Sequence, residues 1–296
     1  MIPELFQDPT FWTVALGSSL LSGVAGALGV FAVLRRESLI GDVMSHAALP
    51  GLVLAFLITG SRELPPLLLG AALSSGIGAL LAVQIPRRSR IKPDAALGLV
   101  LSVFFGMGMV GLTVAQQRPT AAQAGLDRFL FGQAATMLRR DVAAIAIAAF
   151  LVLVFLLLLW KEWKLLAFDP IFAQACGLPV GTLEVLLAAL MVLTVAIGLP
   201  AVGVTLMSAL LVAPAAAARQ WTDRLERMVV LAGGFGALSG GLGTLMSAGV
   251  GRLPTGPLIV LVACGLALLS LLIAPRRGLL RRWYLHRRKS HARPAG

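Results

Sequence analysis

Charge is scarce in this chain. Of its 296 residues only 13% are Asp, Glu, Lys or Arg, against 58% hydrophobic, and an ordinary soluble domain is not built on those proportions. Each further shortage closes off a chemistry. None of the four lysines, Lys92, Lys161, Lys164 and Lys289, follows a glycine. A G-x-x-x-x-G-K-[ST] loop to cradle nucleotide phosphates is therefore absent, and the chain is not expected to be an enzyme that hydrolyses ATP. The three histidines form no H-E-x-x-H and the two cysteines no C-x-x-C, so a catalytic or structural zinc site of those kinds is not encoded. Cys176 and Cys264 fall in a loop and within an apolar run, and read as packing residues rather than a disulfide. The first ten residues hold Glu4 and Asp8 but no basic residue, which leaves no positive n-region for a cleavable signal.

What is abundant is long apolar runs. Nine are long enough, or nearly so, to cross a hydrocarbon core that takes about 20 helical residues. They lie at 12–34, 39–60, 64–86, 95–116, 141–160, 182–199, 200–218, 228–250 and 256–274. The expected fold is all-α: a polytopic membrane bundle of about nine transmembrane helices, within a range of eight to ten. With the amino terminus outside, Arg35, Arg36, the 87–92 group, Lys161, Lys164, Arg219, Arg224, Arg227 and the eight basic residues of the tail fall on the cytoplasmic side. Most of the 25 basic residues then obey the positive-inside rule, and the carboxyl terminus is cytoplasmic. The expected divisions are a short outer tail at 1–11, one permease domain at 12–275 and a basic cytoplasmic tail at 276–296. The net charge of +12 is thereby a rim facing anionic lipid or a cytoplasmic partner, not a nucleic-acid surface.

The stretch 39–55, LIGDVMSHAALPGLVLA, places Asp42 and His46 four residues apart in an apolar run. On a helix they stack on one face. A charged side chain inside a bilayer costs about 3 kcal/mol or more unless it is paired or lines a wet path, so the pair is a functional candidate. The plainer alternative has Asp42 capping the helix and His46 hydrogen-bonding a neighbouring helix. Carboxylate plus imidazole suits zinc, iron or manganese. Two donors are too few for a tight structural site, which fits an ion held in transit and then released. Pro50 frees the carbonyl of His46 one turn back.

The run Ile40 to Gly51 resembles the G-D-x-x-S-H-A-x-L-P-G signature of the membrane permeases of ABC importers for manganese, zinc and iron. Three more stretches are similar to the same family: Phe168-Asp169-Pro170 to Pro179, Val202 to Ala215, and Pro254-Thr255-Gly256-Pro257. The resemblance implies a transported divalent metal with no permanent cofactor, a homodimeric permease in the bacterial cytoplasmic (inner) membrane, a cytoplasmic ATPase subunit and an extracytoplasmic metal-binding protein. Arg252 departs from the pattern, since many relatives carry an acidic residue there.

Asp169 suits an N-cap, Pro170 the first helical position and Gly177 a C-terminal stop. They specify a helix of about two turns, too short to span. Its Ile171, Phe172, Ala173 and Ala175 offer an apolar knob, and the family resemblance implies that this coupling helix docks on the ATPase. Gly233, Ala237 and Gly241 form a small-residue face for tight packing, within the chain or across a dimer seam. Ser208 and Pro214 are candidates to open the seventh span towards the pathway. Glu184 reads as a helix-end carboxylate, and Met107 and Met109 as apolar filler. Leu126, Phe129, Leu130, Ala134 and Met137 share a face expected of an interfacial or partly inserted helix. His286 and His291 belong to a basic tail expected to be disordered. Two other transporter readings stand beside this one: a permease for a larger metal-chelate or cobalamin cargo, and a stand-alone ion-coupled transporter. The second is disfavoured by the lack of a clear internal repeat.

Overall fold

The structure is a computed structural model that describes residues 7–60, 63–117, 132–250 and 253–275, with positions 129 and 278. Among these the chain forms eleven α-helices and one 3-10 turn. They are α1 (Pro9–Leu34), α2 (Ile40–Thr59), α3 (Leu64–Arg88), α4 (Pro93–Gln116), α5 (Arg139–Leu158), α6 (Trp160–Phe168), α7 (Pro170–Ala175), α8 (Val180–Val202), α9 (Val204–Trp221), α10 (Leu225–Val250) and α11 (Thr255–Ile273). All but α6, α7 and α9 are long and apolar enough to cross a membrane. This is an all-helical, multi-pass membrane architecture. α9 has the 18-residue length, but its last turn carries Arg219 and Gln220.

Local chemistry sets most boundaries. Asp8 caps α1 by accepting from the Thr10 amide at 2.8 Å, with Pro9 in the first helical position. Pro93 opens α4 in the same way. α1 closes in a Schellman turn: the Glu37 amide donates to the Ala32 carbonyl at 2.9 Å and that of Arg36 to Val33 at 3.3 Å. Arg36 occupies the left-handed position of that turn at φ 60°, where glycine is usual.

Three boundaries depart from the sequence reading. The sixth span does not stop at Leu199-Pro200: α8 runs through Pro200 and breaks at Gly203, whose φ of 90° only glycine adopts easily. The Pro200 carbonyl then accepts from the Gln133 amide at 3.0 Å. Beyond the fifth span, Leu159 leaves helical geometry and α6 begins as a separate nine-residue helix. Trp163, fully buried, closes that corner by donating from Nε1 to the Phe155 carbonyl at 3.0 Å and meeting the Phe31 ring edge-on. Of the expected interfacial helix, Leu126 and Leu130 lie outside the described residues; Phe129, Ala134 and Met137 are buried in the core rather than on a lipid face.

Packing sorts the helices into two classes. In α1, α2 and α8 between 67% and 72% of the central residues are buried, and in α3, α4, α5 and α11 about a third or fewer. The former make the interior of the bundle and the latter its rim. The longest seam is α1 on α10. A Cβ on Gly23 would lie 3.3 Å from the Gly233 carbonyl and 3.5 Å from Ala237 Cβ, and one on Gly241 3.3 Å from Ser19 Oγ. The face of Gly233, Ala237 and Gly241 is thus packed inside the chain, against α1. Ala71, Ser75 and Ala79 of α3 are buried, and Ser75 Oγ donates to the Met44 carbonyl of α2 at 2.8 Å.

A side chain at Gly236 would strike the Ser22 carbonyl, whereas one at Gly234 would meet nothing. Gly236→Val is expected to destabilise the purified chain by about 1–3 kcal/mol, and Gly234→Val by about 0.5 kcal/mol or less. Thermal unfolding in detergent reads the difference.

Candidate functional site

From Ile40 to Val53 every residue of α2 is buried except two, Asp42 and His46, both half-buried. Val43, Met44, Ala47 and Ala48 are fully sealed. The sealing comes from backbones drawn close on several sides. Gly78 of α3 sits against Ala47, Gly108 of α4 against Leu49 and Pro50, and Gly41 of α2 against Leu211 and Ser208 of α9. One strip of the helix stays open, and the two polar side chains occupy it.

The strip opens beside α4. The His46 ring meets Phe105 edge-on, with centroids 4.9 Å apart and planes at 79°. Phe105 is 37% exposed, and Ser102, Gly106 and Met109 of the same helix also face outward. Neither plainer role for the pair is realised among the described residues. Leu39, not Asp42, holds the N-cap position of α2, and no side chain caps it. His46 Nδ1 is buried without a hydrogen-bond partner. A neutral imidazole is a common metal donor. No group of three His, Cys, Asp or Glu comes together among the described residues. The candidate pair in one chain is therefore a carboxylate and an imidazole.

Ser208 and Pro214, expected to open α9, do the reverse. Both are buried, Pro214 against Gly26 of α1 and Ser208 against Gly41 of α2. Arg252, His286 and His291 lie outside the described residues.

At the other candidate locus, α7 is as short as expected, six residues. Asp169 accepts from the Phe172 amide at 2.9 Å, and Pro170 begins the helix. Gly177, at φ 82°, donates to Gln174, and Leu178 donates back to Ala173 at 3.1 Å, a second Schellman closure. Ile171 is 80% and Phe172 54% exposed, with Phe168 beside them. Ala173 departs from the expected knob: it is fully buried and seats α7 on α6, because the helix turns the opposite face outward. Ala175 stays exposed.

One residue read only as a helix-end carboxylate does more. Glu184 accepts from Arg35 at 2.7 Å and also pairs with Arg87, and Arg35 pairs in turn with Glu37 at 3.2 Å. Glu184 stands beyond the first turn of α8, where the helix dipole no longer explains a carboxylate. That offset, in so sparsely charged a chain, is the available signal in the sequence.

Eight helices long and apolar enough to cross a membrane, among the described residues, define a multi-pass membrane protein. The comparisons agree: the ABC 3 transport family matches residues 7–274, and the chain belongs to that family. It is 49% identical over 287 residues to "Zinc transport system membrane protein TroC" of Treponema pallidum (strain Nichols), covering 97% of this chain and 96% of that one. It is 49% identical over 276 residues to "Manganese transport system membrane protein MntC" of Bacillus subtilis (strain 168), covering 93% of this chain but 63% of that longer one. Among solved structures, PsaBC from Streptococcus pneumoniae in complex with Fab matches with a TM-score of 0.82 at 30% identity, over 96% of this chain and 100% of that one. A metal-chelate type ABC transporter in an inward-facing conformation matches at 0.66 with 16% identity, over 88% of this chain and 84% of that one, a likeness of fold alone.

Asp169→Ala is expected to lose about 1 kcal/mol of local stability with its cap, and Gly177→Ala about 1–2 kcal/mol with its left-handed position. Faster hydrogen exchange at the Phe172 and Leu178 amides reports both.

Proposed function

We infer that this chain is the permease subunit of an ABC importer that moves a divalent transition metal, manganese, zinc or iron, into the cytoplasm of a bacterial cell. The observation that carries the reading is the strip on α2, where only Asp42 and His46 escape burial over fourteen residues, 40 to 53. The relatives named for zinc and manganese transport support it. Asp42 supplies charge and an oxygen, and His46 a nitrogen lone pair that is free only when the ring is neutral. A site of two donors per chain binds loosely enough to hand its cargo on. A chelate or cobalamin would need a wide conduit without ligands, and the strip is narrow and ligand-bearing.

Hydrolysis belongs to a separate ATPase subunit, to which α7 presents Ile171 and Phe172, and a binding protein delivers the ion from outside. We place the amino terminus outside and the basic tail in the cytoplasm, next to anionic lipid. The open strip beside Phe105 lies on the outer face of a single chain. In our reading a second copy covers it and completes the ligand set, giving a homodimer with a central path.

Asp42→Ala and His46→Ala are each expected to lower metal uptake at least about tenfold while expression and membrane insertion stay at wild-type levels. Normal uptake in both variants would remove the site. With Cys176 and Cys264 replaced by serine, Met109→Cys is expected to form an oxidative cross-link between two copies in membranes. A chain that stays monomeric under oxidation would count against the covered strip.

A further inference from the structure

The polar strip lies on α2, and the Glu184 charge cluster joins residues that lie close in the chain to α2 and to α7. The Glu184 side chain is 12% and that of Arg35 14% exposed. Charges so removed from solvent persist only when paired, and removing one partner strands the other. Arg35 ends α1, Arg87 ends α3 and Glu184 lies near the start of α8, so one carboxylate ties three helix ends together.

On one side the cluster reaches the site. Arg35 and Glu37 belong to the tight turn before α2, and the Ile40 amide donates to the Glu37 carbonyl at 3.0 Å. A cavity of about 10 Å³ bordered by Arg35, Glu37, Ile40 and Glu184 joins the cluster to the first residue of α2. Asp42 is two residues further on. On the other side the cluster reaches α7, since Glu184 is seven residues beyond Gly177 and α8 follows α7 after a closed turn. The ion pair of α6 with α10, Lys164 with Glu226, is by contrast more than half exposed on both partners and is screened accordingly.

We propose that Glu184 is a positioning residue: through Arg35 it transmits displacement of α7 to the first turn of α2, and so sets when Asp42 and His46 hold or release the ion. The proposal rests on the reading of α7 as the ATPase-docking helix. Without the carboxylate, α7 still docks and the ATPase still turns over, but α2 no longer follows.

The test uses the full transporter, permease with its ATPase subunit and binding protein, in proteoliposomes, with manganese or zinc uptake and ATP hydrolysis measured on the same vesicles. Glu184→Gln is expected to keep most of the hydrolysis while uptake per ATP falls on the order of tenfold, within the range of coupling between linked sites. Glu184→Asp should recover part of the ratio, and Arg87→Gln, whose side chain is 48% exposed, should lower it less. An unchanged ratio of uptake to hydrolysis in Glu184→Gln overturns the proposal. So does a parallel fall of both activities, which would mark a purely structural residue. Should that variant fail to assemble, Arg35→Gln is read instead, since it removes the link itself and leaves Glu184 paired with Arg87: a fall in uptake per ATP with hydrolysis kept supports the linkage, and an unchanged ratio, a parallel fall of both activities or failed assembly overturns it. ATP-dependent uptake by the wild type, and its loss in Asp42→Ala, test the transport reading separately.

Discussion

Inside a hydrocarbon layer, backbone amides must be satisfied within each helix, and lipid is as apolar as any leucine, so helices are held together by close contact between small residues. The whole bundle follows from that constraint. Gly23 lets α1 lie on α10, and Gly78 and Gly108 let α3 and α4 close around α2. Helices drawn in this tightly leave no slack around Val43, Met44, Ala47 and Ala48. Over residues 40–53 the polar strip is what remains of the α2 surface after close packing has claimed the rest.

The same constraint explains the distribution of charge. Polar groups left in the interior must be paired or put to use, and the two clusters show one solution each. Glu184 is paired, with arginines from two other helices. Among the described residues no arginine or lysine pairs with Asp42, and His46 Nδ1 has no hydrogen-bond partner, on a stretch of helix, 40–53, that is otherwise buried.

How much of this was readable in the residues depends on how local the cause is. The ends of α7 were legible because a cap is written in adjacent positions: Asp169, Pro170 and Gly177 do what they do wherever the helix sits. The candidate pair was legible because spacing by four fixes a shared face. Causes that act at a distance were not. The small-residue face of α10 announces a neighbour without naming it, and only the fold shows that α1 is the neighbour. Pro200 looks like a break, yet proline tolerates helical φ, and the real corner at Gly203 depends on how α9 must turn back. Glu184 and Arg35 are 149 residues apart in the chain, beyond the reach of any pattern argument.

The six-residue helix at the edge of the bundle has both ends closed by its own side chain and backbone, and its underside is seated through Ala173. Its shape is fixed before any partner arrives. A peg of this kind surrenders little conformational freedom when it is gripped, so more of the contact energy is left as affinity. In the coupling proposed above, stiffness would also let a push at its tip travel inward instead of being absorbed by bending.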